Sequence, residues 1–103
     1  MSDLVSLIGL TEVADGKSLE VTASGKIFAI YNVDGRIHVI DGICPHAGGP
    51  LGKGMLRGTV VTCPWHGWQF DVSTGHHCLN DRICQTRYDV EIQDGKICVR
   101  LPS

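Results

Sequence analysis

Cys44-Pro45-His46-Ala47-Gly48-Gly49-Pro50-Leu51 and Cys63-Pro64-Trp65-His66-Gly67-Trp68-Gln69-Phe70-Asp71 are the two stretches on which the reading of this chain turns. Each offers one thiol and one imidazole, spaced C-x-H in the first and C-x-x-H in the second, with 16 residues (47–62) between the two pairs. Thiolate and imidazole side chains grouped in this way point to a metal centre. A structural zinc site more often draws on a Cys pair followed by a His pair. Here each loop mixes the two ligand types. The mixture suits a two-iron cluster in which Cys44 and Cys63 hold one iron while His46 and His66 hold the other, because each loop then presents one ligand to each of two adjacent metals. A zinc-stabilised interaction module would use the same four side chains without redox chemistry, and metal analysis separates the two.

Outward from the loops the sequence reads as short strands and tight turns. Asp-Gly pairs occur at Asp15-Gly16, Asp34-Gly35, Asp41-Gly42 and Asp94-Gly95, and such pairs tolerate the positive φ that a tight hairpin needs. Runs 25–32 and 36–40 flank the second pair, and runs 88–92 and 96–101 flank the last. In the last run Ile97, Val99 and Leu101 alternate with Lys96, Cys98 and Arg100, the period-2 signature of a strand. Strands are also expected at 4–8, 19–22, 59–62 and 69–72, with one short helical turn near 11–13. The fold class that follows is all-β, a sandwich or barrel of short antiparallel strands carrying a subdomain of two ligand loops at about 43–51 and 62–71. Gly48-Gly49 and Gly67 would let backbone amides approach the sulfurs, and Pro45, Pro50 and Pro64 restrict the loops before a metal arrives.

Size and charge bound the rest. A chain of 103 residues predicts a single domain over 1–103, with no room for a second, catalytic one. The formal charge is −2 and the Lys and Arg residues are scattered, so the basic footprint of a nucleic-acid binder is missing. Met1-Ser2-Asp3-Leu4-Val5-Ser6-Leu7 lacks a basic targeting region, and no apolar run approaches membrane-spanning length. A soluble, cytoplasmic protein with no membrane association is expected. Cys78, Cys84 and Cys98 show no C-x-x-C spacing and fit reduced thiols better than a disulfide framework.

The two loops closely resemble those of the Rieske [2Fe–2S] family, in which two His replace two Cys on one iron. Residues 44–51 match its C-x-H-x-G-x-x-L pattern and residues 63–71 its C-P-x-H-G-x-x-F-D pattern. The likeness is sharpest over 41–75 and looser in the flanks. It implies a Rieske-like fold, a [2Fe–2S] cluster held by Cys44, His46, Cys63 and His66, and one-electron chemistry. Most similar are the soluble Rieske-type ferredoxins of oxygenase systems. Their partners are a flavoprotein reductase fed by NAD(P)H and a terminal oxygenase. A Rieske-like small subunit of an assimilatory nitrite reductase is the alternative within the family. An oxygenase α-subunit would need a further domain with a 2-His-1-carboxylate iron.

Departures from the family pattern are equally informative. High-potential members carry an extra Cys in each loop, forming a disulfide, where this chain has Gly49 and Trp65. They also carry a Ser and a Tyr after the second His, where this chain has Trp68 and Phe70. Without those hydroxyl donors the potential is expected near the low end of the roughly −150 to +300 mV Rieske range. Many members pack a Pro-containing segment against the cluster, and here that region reads Leu79-Asn80-Asp81-Arg82.

The remaining candidates are read as structural. His38 is expected to be a half-buried sheet residue. His76 and His77, being adjacent, would face opposite sides of a strand. Cys78, Cys84 and Cys98 are expected to be small apolar fillers. Trp65 and Trp68 are left between loop packing and a docking surface.

Overall fold

The computed structural model describes residues 3–45, 48–65, 67–80 and 82–101. His46 and His66, two of the four expected ligands, lie outside the described residues.

Three two-residue turns organise the larger sheet. Ser24-Gly25, Asp34-Gly35 and Asp94-Gly95 all take positive φ at both positions, the backbone of a type I′ hairpin whose twist matches that of its strands. The turns join β2 (Ser18–Ala23) to β3 (Lys26–Val33), β3 to β4 (Arg36–Asp41), and β8 (Arg87–Gln93) to β9 (Lys96–Leu101). With β1 (Asp3–Gly9) these strands form a six-stranded antiparallel sheet in the order β1-β9-β8-β4-β3-β2. Its end strands β1 and β2 approach each other, so the sheet curls into a nearly closed barrel. Among the described residues no helix is long and apolar enough to cross a membrane.

The strands at 4–8, 19–22, 36–40 and 88–92 appear with slightly wider bounds, the one at 96–101 appears as expected, and the helical turn is a 3-10 turn over Leu10–Glu12. Two expectations change. Gly25 belongs to a turn and β3 starts one residue later. Asp41-Gly42 makes no hairpin: Asp41 ends β4, Gly42 lacks positive φ, and a Cβ there would lie 2.7 Å from Ile27 Cγ2. Gly42 is needed for close approach as the chain leaves the sheet.

β3 is buried on both faces and forms the wall between two cores. Phe28 and Ile30 point into the barrel with Val39, Tyr88, Ile97 and Val99, whereas Ala29 and Tyr31 join Ile40, Leu51, Val61, Phe70 and Val72 on the outer side. The register Ala29↔Ile40 and Ile30↔Val39 gives β4 the same division. Alternation along one strand therefore serves two cores. Phe28 and Tyr88 meet edge to face, with centroids 5.1 Å apart, across the barrel interior.

The outer core is covered by a second, three-stranded antiparallel sheet of β5 (Met55–Arg57), β6 (Val60–Thr62) and β7 (Gln69–Asp71). β6 and β7 fall within the runs 59–62 and 69–72. β5, at three residues, has too little alternation to be read from the sequence and exists because Leu56 can pair with Val61. The first ligand loop leaves the barrel after β4, and the second connects β6 to β7. The two loops thus start from different sheets.

Candidate metal centre

The first loop is anchored at both ends before it reaches Cys44. The Gly42 N–H donates to the Ile27 carbonyl (2.9 Å) and the Leu51 N–H donates back to Gly42 (3.0 Å), so the loop closes on the barrel wall. Tyr31, fully buried on β3, donates its hydroxyl to the Leu51 carbonyl at 2.7 Å. Its burial, and secondarily the Cys63 thiol nearby, push its pKa far above the usual tyrosine value. Tyr31 is thus a neutral donor at every working pH. Inside the loop, the Cys44 N–H donates to the Gly49 carbonyl and the Gly48 N–H to the Cys44 carbonyl, both at 2.9 Å.

The second loop is held by the small sheet. Thr62, at the end of β6, pairs with Met55 on one side and Gln69 on the other, and the Cys63 N–H donates to the Trp68 carbonyl at 2.7 Å. Cys63 therefore sits where a paired strand becomes a loop.

The fold brings the two sulfurs together. Cys44 and Cys63 are each 1 % exposed and share the outer core. Their thiols lie within hydrogen-bonding reach of each other. Burial raises the Cys63 pKa, the backbone N–H of Trp65 donating to its sulfur lowers it, and the Cys44 thiol raises it again. Binding a metal here must release those thiol protons. A Cβ added to Gly49 would stand 2.6 Å from Cys63 Sγ and 3.0 Å from Trp65 Cβ. Gly49 is thus the point at which the loops touch, and only a residue without a side chain fits. Where high-potential relatives of the pattern place a disulfide, Trp65 packs on Gly49. Two adjacent buried thiols on separate loops fit the sulfur half of a mixed Cys/His donor set.

A third segment lies beside the second loop. His77 is buried, with its ring set edge-on to Trp68 (4.6 Å between centroids) and to Phe70 (5.3 Å). Its Nδ1 accepts from the Leu79 N–H at 3.0 Å. The bridge Phe70↔His77 ties this segment to β7, the bridge His76↔Cys84 joins its two ends, and the Asn80 side chain accepts from the Arg82 N–H. Leu79 projects from the segment almost fully, at 90 % exposure.

The structure divides the other candidates. His38 is half-buried as expected, and burial, then the Arg87 charge, lowers its pKa. His76 is exposed and His77 buried, so the neighbours do face opposite ways. Of the three spare thiols only Cys98 is a buried filler; Cys78 and Cys84 are exposed, because the segment that carries them lies on the surface. Trp68 packs against the outer core, while Trp65 is 50 % exposed. Gln85, which no pattern in the sequence singles out, is buried and reaches the base of the first loop. Only its tertiary neighbours mark it.

The model of the Rieske [2Fe-2S] domain matches residues 4–89. The ferredoxin component of the p-cumate 2,3-dioxygenase system of Pseudomonas putida is 42 % identical over 102 residues, covering 96 % of this chain and 86 % of that protein. Among solved structures, the ferredoxin of Sphingomonas yanoikuyae B1 superposes with a TM-score of 0.88 at 34 % identity, covering 97 % of this chain and all (100 %) of that one. The carbazole 1,9a-dioxygenase ferredoxin, solved as an oxidized ferredoxin in complex with its reduced oxygenase, gives 0.84 at 26 % identity, with 93 % and 91 % covered. With paired thiols on two loops, a barrel behind them and this match over most of its length, the chain belongs to the Rieske [2Fe-2S] domain family.

Proposed function

We propose that this chain is a one-electron carrier, a Rieske-type ferredoxin that accepts electrons from an NAD(P)H-dependent flavoprotein reductase and delivers them to a terminal oxygenase. The observation that carries the reading is the meeting of Cys44 and Cys63, buried and adjacent, in the core between the barrel and the small sheet. Relatives of nearly the same length that bear the name of a ferredoxin component in a dioxygenase system support it. When bound, the [2Fe–2S] cluster supplies the reversible uptake of one electron. Cys44 and Cys63 would hold one iron and His46 and His66 the other, the whole chain 1–103 acting as one domain in the cytoplasm. The protein's part is to keep the sulfurs in place and dry: both thiols are walled by Tyr31, Leu51, Val61 and Phe70, so the surroundings need little rearrangement when the charge changes.

The purified protein is expected to be coloured and to contain two irons and two acid-labile sulfides per chain. Cys44→Ser and Cys63→Ser are each expected to abolish the cluster and lower the unfolding temperature, because metal binding is coupled to folding. Normal iron content in either variant would refute the ligand assignment. A colourless wild type holding one zinc would refute the carrier. Stopped-flow reduction by a flavoprotein reductase and reoxidation by an aromatic-ring oxygenase then test the direction of transfer.

A further inference from the structure

The two ligand loops are held by different means, and the difference isolates one side chain. Thr62, before Cys63, is paired in the sheet on both sides. Ile43, before Cys44, lies outside the named strands and makes only an isolated bridge to Pro50. The bonds flanking that bridge, Cys44 N–H to Gly49 and Leu51 N–H to Gly42, make it a non-hydrogen-bonded pair, so the Ile43 carbonyl points away from its partner. A carbonyl turned out of the bridge in this way takes its donor from elsewhere.

The donor is Gln85, distant by 42 residues in the chain. Its Nε2 donates to the Ile43 carbonyl and also to the Asp41 carbonyl, the latter at 2.8 Å. Both amide protons of the side chain are thereby used. Gln85 is 6 % exposed, and its own backbone is clamped: its N–H donates to Gly75 at 2.6 Å, and the next carbonyl, Thr86, accepts from the Asp41 N–H at 2.8 Å. Gly75, with φ +84°, is the residue against which Gln85 rests, since any Cβ there would run into the Gln85 carbonyl. The side chain therefore projects from a fixed base.

The Ile43 carbonyl and the Cys44 N–H belong to one planar peptide unit. Gly49 binds one edge of that plane and Gln85 the other. With both edges tied, the plane cannot rotate, and the direction in which Cys44 leaves the backbone is set. We infer that Gln85 is a positioning residue: its carboxamide locks the peptide plane in front of Cys44 and thereby holds that sulfur in register with Cys63 at the cluster. The inference rests on the cluster reading above.

Gln85→Met keeps the volume and removes both donors; Gln85→Asn keeps the donors and shortens their reach. Both are compared, as holoproteins, with Val99→Ala, a cavity inside the barrel core and away from the loops. Loss of iron to a chelator is expected to be on the order of tenfold faster in both Gln85 variants, with broadened resonance lines of the reduced cluster. Val99→Ala is expected to lower the unfolding temperature while leaving both readouts as in the wild type. Unchanged lines and iron loss in Gln85→Met would overturn the inference, as would changes of equal size in Val99→Ala. Failure of both Gln85 variants to fold would assign the residue a purely structural role and overturn it too. A wild type without iron would defeat the cluster reading instead, and slow solvent exchange of the Gln85 side-chain amide would still report the lock.

Discussion

At the scale of single residues, donors to sulfur decide what the centre does. Phe70, fully buried against His77, and Trp68, edge-on to the same ring, stand where hydroxyl-bearing residues occur in high-potential relatives of the pattern. The buried hydroxyl of Tyr31 is committed to the Leu51 carbonyl. The Trp65 amide on Cys63 is a remaining donor. Fewer donors leave more electron density on the sulfurs and oppose reduction. A midpoint potential below zero and nearly flat with pH around 7 is therefore expected. Trp68→Ser with Phe70→Tyr is expected to raise it by roughly 100 mV. One charge-assisted hydrogen bond is worth about 1.5–3 kcal/mol, and about 59 mV corresponds to 1.4 kcal/mol for one electron. Redox titration of both proteins checks it, and a wild-type potential well above zero would contradict it.

At the scale of elements, each ligand loop is tied to its own sheet, the first through Gly42 and Leu51 to the barrel wall and the second through Thr62 to the small sheet. The Asp34-Gly35 and Asp94-Gly95 hairpins were readable, since turn chemistry is local. β5 was not, because three residues form a strand only against the neighbour that pairs with them. The segment 76–84 is equally silent, and Cys78 and Cys84, which read as fillers in the sequence, lie at the surface because the fold leaves that segment there. The contact between loops has its own test. Gly49→Ala would force a methyl to 2.6 Å from Cys63 Sγ, an overpacking that typically costs about 1–3 kcal/mol. Lower iron content and a lower unfolding temperature are expected in Gly49→Ala. A variant with wild-type iron content and stability would mean that the loops do not meet there.

At the scale of the whole molecule, the barrel carries the loops and its own titration colours the stability of both. Burial of His38, then the Arg87 charge, disfavour its protonated form in the fold, against a smaller opposing pull from Asp71. The unfolded chain, with an ordinary histidine pKa of about 6.5, binds that proton first as pH falls. Stability is thus intact above about pH 6.5 and declines below it, until the folded form also takes up the proton. Chemical denaturation at pH 7.5 and 5.5 is expected to show this fall, and a smaller fall in His38→Gln. An equal fall in the variant would assign the effect to other groups.

The sequence by itself determined which side chains are on offer: Cys44, His46, Cys63 and His66 supply two thiols and two imidazoles at spacings that are covalent facts. It determined the all-β class as well, because alternation and Asp-Gly turns act over a few residues. Tertiary structure alone decided how the two thiols are held. That β3 and β4 serve two cores, that Gly49 abuts Cys63, and that Gln85 pins the peptide before Cys44 from 42 residues away are contacts between distant parts of the chain. Such contacts follow from strand order and register, which become defined only when the whole barrel closes and buries its faces together.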